Sequence, residues 1–359
     1  MGNTPSRTVF FTLHQWVGLV IGLFVISASL TGSALVYWQE LDHWWNHDRL
    51  TVTPAGTPLP LDELVRIARA RHPDATGMNI LWFPQRPDDS YEFRLYFDKH
   101  DYGMDGNAVL NLDPYSGTVL RDGSHRDPSH VMHWILTFHY SLHLGLTGVL
   151  WMGLITVAVG VSLITGIWLY RTQLLSVVLC RKRIHWANWR TAAFGLHGIV
   201  GVWTLFFVAA IFFSGFLMNR TAFDPNAWAT TTYQPAPATG ASLDRMLAQS
   251  RDVFPGFVVR SMYIPFVTGD TVRVSGDVPG TSPLLGHGAS AVAFDPLTGE
   301  VVDRIDINNQ PMWTKFETVA YAFHIGTFAG EPSRLLYVFV GLAPALLAMT
   351  GFVLWWWKR

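Results

Sequence analysis

Residues 8–39, TVFFTLHQWVGLVIGLFVISASLTGSALVYWQ, and residues 191–219, TAAFGLHGIVGVWTLFFVAAIFFSGFLMN, decide how this chain folds. Neither stretch contains Asp, Glu, Lys or Arg. Each is longer than the ~20 apolar residues that span a ~30 Å hydrocarbon core at ~1.5 Å per residue. Residues 128–170 and 335–357 are equally free of charge. Over all 359 residues 14% are charged and 50% hydrophobic, where a soluble domain carries ~25% charged residues. Charge-free runs of this length are rare in soluble cores. The expected fold class is therefore membrane α-helical, with four transmembrane helices over residues 8–39, 146–170, 192–219 and 334–357.

Basic residues set the expected orientation. Residues 171–191 hold Arg171, Arg181, Lys182, Arg183 and Arg190 and no acidic residue, Arg7 precedes the first span, and Lys358 and Arg359 follow the last. Lys and Arg accumulate on the cytoplasmic side, which puts both termini and residues 171–191 inside. Residues 40–127 and 220–310 are then outside, with juxtamembrane segments at 128–145 and 311–333. The first apolar stretch is too long for the core of a signal peptide and is expected to remain as an anchor. A single cysteine, Cys180, excludes a disulfide framework, a CxxC redox pair and a CxxCH haem attachment. The net charge of −1 offers nothing to nucleic acid.

The two quoted stretches also resemble each other, and the likeness continues along the chain. Leu13-His14 returns as Leu196-His197, Gly18 as Gly201, and Thr31-Gly32 as Ser214-Gly215. Leu61-Asp62 returns as Leu243-Asp244, and Asp113-Pro114-x-x-Gly117 as Asp295-Pro296-x-x-Gly299. His139 returns as His324, Gly145 as Gly330, and Thr165-Gly166 as Thr350-Gly351. The chain reads as a tandem duplication, each half being span, outside α+β domain, span. Two crossings per half give both copies one orientation, with a pseudo-two-fold axis along the membrane normal. Each outside domain is expected to hold a helix (61–71; 243–253) and strands at 78–83, 91–97 and 108–112, or at 258–264, 271–274 and 291–294. The Asp-Pro-x-Ser/Thr-Gly segments read as turns, Pro presetting φ and Gly accepting a positive one.

Ionisable side chains at membrane depth call for a function, and His14 and His197 are such residues. Each is expected about one turn inside its span. A structural, hydrogen-bonded role is open to either alone. Two imidazoles at one depth across a two-fold axis are, however, what a haem iron needs for its two axial ligands. Gly18 and Gly201, one turn further on the same face, leave room for a flat macrocycle. His139 and His324 form the second pair, towards the outside. His130, His133 and His143 are near in sequence; the repeat selects His139, and His143, whose counterpart is Phe328, is the fallback. A zinc site is the other metal reading, but no carboxylate or thiolate completes either pair. Gly286-His287-Gly288-Ala289-Ser290-Ala291 matches GxGxxA only formally, since no helix follows it.

Leu13-His14-x-Trp16-x-Gly18, Phe138-His139-x-Ser141-Leu142-x-Leu144-Gly145, Leu196-His197-Gly198-x-x-Gly201-x-Trp203 and Phe323-His324-x-Gly326-x-Phe328-x-Gly330 resemble the PepSY-associated transmembrane family of bacterial inner-membrane proteins. The Asp-Pro-x-x-Gly segments look like that family's PepSY-type outside domains. The resemblance spans nearly the whole chain, and His143 is its departure. It implies iron-linked membrane proteins that include FoxB-like ferrisiderophore reductases with two non-covalent b-type haems. The resulting expectation is an oxidoreductase: a di-haem conduit in the bacterial inner membrane. An electron would enter at the haem on His14 and His197, pass to the haem on His139 and His324, and reduce a periplasmic ferric siderophore to release Fe(II). The cytoplasmic segments are too short for a flavin or nicotinamide domain, so the donor is a separate reductant, reductase or quinol. Two rivals remain: a haem-free siderophore or metal transporter, and a regulatory or assembly protein whose outside domains bind a partner.

Overall fold

The structure is a computed structural model that describes residues 5–81, 83–84, 86–97, 108–124, 127, 130–229, 239–285 and 288–357. Pro128, Ser129, Gly286, His287, Lys358 and Arg359, which enter the sequence reading, lie outside this set. In chain order the elements are α1 (Pro5–Leu35), α2 (Trp38–Trp45), α3 (His47–Leu50), α4 (Leu61–Arg71), β1 (Gly77–Ile80), β2 (Tyr91–Tyr96), β3 (Ala108–Leu112) and β4 (Val119–Ser124). There follow α5 (Val131–Ser141), α6 (Gly145–Tyr170), α7 (Leu174–Val178), α8 (Trp189–Asn219), α9 (Leu243–Val253), β5 (Val258–Pro265), β6 (Val272–Asp277), β7 (Ser290–Phe294), β8 (Val301–Ile305), α10 (Met312–Ile325) and α11 (Glu331–Trp356).

Four helices, α1, α6, α8 and α11, are long and apolar enough to cross a membrane. They form a ring in which α1 and α8 each touch both α6 and α11. Large apolar side chains such as Val20, Leu23, Ile164, Phe206 and Phe339 stay exposed on the outside of this ring, as they do on helices whose solvent is lipid. Trp186, Trp189, Trp356 and Trp357 cluster exposed at the end that carries the basic residues. Arg171 covers the Trp168 ring at 4.0 Å there, the amphipathic belt expected at a membrane surface. The α8 helix starts in this region with a reciprocal cap: Asn188 Oδ1 accepts from Thr191 N at 3.0 Å, and Asn188 N donates back to Thr191 Oγ1.

Beyond the other end of the ring sits one eight-stranded antiparallel sheet, ordered β4-β3-β2-β1-β5-β6-β7-β8. The two outside segments were expected as separate domains; instead β1 pairs with β5 and joins them edge to edge, Ile80 opposite Met262. Strands β4 and β8, absent from the sequence reading, complete hairpins around the two Asp-Pro-x-x-Gly turns. Those turns form as expected: Gly117 and Gly299 take φ of 70° and 73°, and their N–H groups donate to the Asp113 and Asp295 carbonyls.

Alternation divides the sheet into two faces. Met78, Ile80, Phe93, Leu95, Leu110 and Leu112, with Met262, Ile264, Val274 and Phe294, pack with α4 and α9 into the main core. The opposite face carries Glu92, Arg94, Asn111 and Arg121 and looks towards α2 and α5: Arg121 reaches Asp42, and Glu92 reaches His133. The helices α4 and α9 cap one another. Asp62 accepts from Leu243 N and Ser242 Oγ, while Asp244 accepts from Leu61 N and Asp62 N.

Candidate functional site

His14 and His197 face each other inside the ring, ring centroids 6.1 Å apart. His139 and His324 do the same at 6.2 Å. The structure thus brings together the pairs read from the sequence. His14 and His197 lie two turns or more inside α1 and α8, since both helices begin before the apolar runs. His139 and His324 come from α5 and α10, yet lie level with Thr31 and Ser214 inside α1 and α8. Along α1, residues 14 and 31 are ~25 Å apart at ~1.5 Å per residue, so the pairs occupy opposite ends of the ring.

All four imidazoles are held in one manner. His14 Nδ1 lies 3.0 Å from Ser162 O and 3.1 Å from Thr165 Oγ1. His324 Nδ1 lies 3.0 Å from Ile211 O and 3.2 Å from Ser214 Oγ. His139 Nδ1 meets Thr31 Oγ1 at 2.9 Å and His197 Nδ1 meets Thr350 Oγ1 at 3.0 Å. Each of these hydroxyls already gives its one proton to helix carbonyls three or four residues back: Thr31 to Ser27 and Ala28, Thr165 to Val161 and Ser162, Ser214 to Ala210 and Ile211, Thr350 to Leu346 and Leu347. Such a hydroxyl has only lone pairs left, as has a carbonyl, so the imidazole must be the donor. Nδ1 therefore carries the proton in all four rings, and Nε2 keeps its lone pair.

The residue after each hydroxyl is glycine, and the ring occupies the space a side chain would need. An added Cβ would stand 2.9 Å from His139 Cε1 at Gly32, 3.1 Å from His324 Cε1 at Gly215, 3.2 Å from His14 Cε1 at Gly166 and 3.6 Å from His197 Cε1 at Gly351. The Thr-Gly and Ser-Gly dipeptides were visible in the sequence only as recurring marks. Their task, seating a histidine from another helix, needed the helix packing. A Cβ at Gly18 would meet nothing within 4 Å, and one at Gly201 only Leu347 Cδ2 at 3.6 Å, so open space adjoins both.

A first-row metal between two trans imidazoles fits these spacings. Two metal–nitrogen bonds of ~2 Å, plus ~1 Å from each nitrogen to its ring centre, separate the centroids by ~6 Å. Among the described residues, no group of three or more His, Cys, Asp or Glu side chains is placed to hold a metal ion; these histidines come in twos. His143 is placed apart, in the bend between α5 and α6 with φ of 59°, its ring on Trp134 at 4.6 Å and Phe138 at 6.0 Å. Phe328 stacks on Phe323 at 4.3 Å in the corresponding place of the second half, so an aromatic wedge suffices there.

Sequence reasoning passed over the polar cluster above the outer pair. Arg121 is buried with Nε on Asn111 Oδ1 at 2.8 Å and Nη2 on Asp42 at 3.2 Å and Glu92 at 2.9 Å. Burial pushes Glu92 up, but His133, Arg121 and Arg94 outweigh it and hold its carboxyl down to about 2. Burial and then the charge of Arg121 push His130 down to about 3.

The class defined here is a membrane protein with four spanning helices, a sheet domain at one end and two like-built histidine pairs in its bundle. The chain belongs to the family described as the PepSY-associated TM region, whose profile matches residues 11–359. A comparison with curated proteins finds no match.

Proposed function

We propose that this protein is a di-haem b-type cytochrome of the bacterial cytoplasmic membrane that carries electrons outward to a ferric siderophore. On this reading the two halves are tandem copies about a pseudo-two-fold axis along the membrane normal, with both termini cytoplasmic and the sheet periplasmic. One haem b would be held without covalent attachment by His14 and His197, the other by His139 and His324. When bound, haem supplies the reversible one-electron chemistry of its iron. The chain's own residues do the rest. The Ser/Thr–Gly seats orient each imidazole with Nε2 free, the apolar ring of helices excludes water, and the periplasmic sheet offers a docking surface. The donor is a cytoplasmic reductant, a reductase or a quinol.

One observation carries this reading: four histidines, each with Nδ1 on a Ser or Thr hydroxyl of another helix, paired at a spacing that suits one metal each. Purified protein should give two haems per chain in a pyridine haemochrome assay, with a low-spin spectrum. His14→Ala or His197→Ala should remove one haem, His139→Ala or His324→Ala the other, and His143→Phe neither. Protein that is colourless when expressed with ample haem would end the proposal and favour the transporter or assembly reading.

A further inference from the structure

Arg94 stands on β2 between Phe93 and Leu95, both of which face the main core, so alternation turns its side chain to the membrane-facing side of the sheet. It is 5% exposed. Its Nε and Nη2 have no hydrogen-bond partner, and among the described residues it forms no ion pair. Its guanidinium carbon stands 5.8 Å from the centroid of the Trp38 ring. Glu92, two residues away, is engaged by Arg121 at 2.9 Å and lies 3.4 Å from His133. A buried lysine or histidine could shed its proton in such a place, but an arginine keeps its charge. Two buried N–H groups of a charged side chain left without hydrogen bonds are costly enough to call for a partner.

The surroundings say what kind of partner fits. Asn79, the cross-strand neighbour of Arg94, likewise leaves its Oδ1 buried without a partner. Side-chain amide orientation is an assignment, and turning this one over offers a second donor beside Arg94. Tyr321 lies within electrostatic reach of Arg94, and desolvation raises its phenol. Tyr321 is itself 49% accessible, so its hydroxyl is open to a ligand. Tyr321 precedes His324 by one turn of α10. Glu317, a further turn back, pairs with Arg220 at the end of α8, so α10 descends into the bundle and Tyr321 stands on the sheet side of His324. His133, on which Arg94 also acts, precedes His139 on α5. Unpartnered polar atoms of Arg94 and Asn79 thus lie on the face of the sheet turned towards the outer histidine pair.

We infer that Arg94, with Tyr321 and Asn79, binds a carboxylate, and that this carboxylate is a propionate of the haem held by His139 and His324. The assignment rests on the di-haem reading. The two propionates of a b-type haem leave the macrocycle along one edge, and an apolar bundle forces that edge towards its polar end. At the outer pair the polar end is the underside of the sheet. The second half differs at this place: judged by pairing to the strand before the Asp-Pro turn, β6 has Arg273 and Ser275 where β2 has Glu92 and Arg94, so no arginine stands at the position of Arg94.

The test uses the full chain in detergent, as wild type, Arg94→Gln and Arg94→Lys. Haem loss to excess apomyoglobin and the two midpoint potentials are measured. Arg94→Gln should release one haem at least tenfold faster and lower the potential of that haem alone, because a fixed positive charge favours the reduced iron. Arg94→Lys should fall between. Reconstitution with iron protoporphyrin dimethyl ester, which lacks propionate charge, should abolish the difference in release rate between wild type and Arg94→Gln. Unchanged release and potentials in Arg94→Gln, in a protein that holds two haems, would overturn the assignment. So would equally accelerated loss of the ester, which would make Arg94 a purely structural residue. If instead only reoxidation by ferric chelates changes, the carboxylate belongs to the acceptor and the propionate assignment falls. A wild-type chain that binds no haem is a different result, which removes the di-haem reading itself.

Discussion

Each histidine seat is a contest between a ring and a missing methyl group. The rings cannot slide away, because Nδ1 is tied to a helix that does not carry them. Replacing the seat glycine by alanine should therefore act in proportion to the gap. Gly32→Ala would bring Cβ to 2.9 Å from His139, closer than carbon atoms pack, whereas Gly351→Ala would leave an ordinary 3.6 Å contact with His197. On the di-haem reading, Gly32→Ala should lose the outer haem or its low-spin signature, Gly215→Ala and Gly166→Ala should weaken theirs, and Gly351→Ala should change little. Haem content and visible spectra of the four variants check the order; loss in Gly351→Ala with retention in Gly32→Ala would contradict the seat. The histidines and their pairing were legible because imidazoles are conspicuous in charge-free runs. The Ser/Thr hydroxyls and glycines were not, because small residues are ordinary in membrane helices. Arg94, Glu92 and His133 escaped for another reason: a search for equivalences overlooks residues that only one half contains.

At the level of elements, spans were the easiest to read and strands the hardest. A charge-free run announces a helix by itself, whereas β4 and β8 are short and largely polar outward. The turns before them did imply a returning strand. That β1 would pair with β5 depends on two edges meeting in space, which no local pattern records. The elements so joined are held by interactions that can be tested singly. Asp62 caps α9 and Asp244 caps α4, so Asp62→Ala should cost about 1 kcal/mol and the double variant about twice that. Thermal unfolding followed by tryptophan fluorescence should show the shift while the haem spectrum persists. The sheet is tied to α2 and α5 through Arg121, Asp42, Glu92 and His133. Burial lowers His130 to about 3 and lowers His133 as well, so below pH ~6.5 the unfolded chain binds protons that the folded one refuses. Stability should therefore decline as pH falls from ~6.5 towards 3. Glu92, held down to about 2, adds a further loss below its ordinary value of ~4.3. His130→Phe should flatten the upper part of this profile; an unchanged slope would place the acid sensitivity elsewhere.

For the molecule as a whole, the two ends differ in what they offer. Among the described residues, one end carries a short helix, α7, and basic connecting residues between α6 and α8. The other carries the sheet, and helices above the histidine pair reach it through Trp38, near Arg94, and His133, near Glu92. On the proposed reading a bulky acceptor would dock at the sheet end, and a small reductant or quinol would approach the other. Since the pairs are separated by ~25 Å of helix, neither alone reaches both sides, and transfer across the membrane should need both. Proteoliposomes with a reductant inside, and a ferric siderophore with an Fe(II) trap outside, test this if the chain is oriented with its basic loops inward. Wild type should give Fe(II) outside, and His14→Ala and His139→Ala should each abolish it. After chemical reduction of the outer haem, His14→Ala should still pass its one electron to the ferric siderophore, because that step uses only the outer pair. Persistence of steady transfer in either variant would show that the pairs do not act in series. Rapid reoxidation by an unrelated acceptor, with ferric siderophores inert, would keep the conduit and replace its substrate.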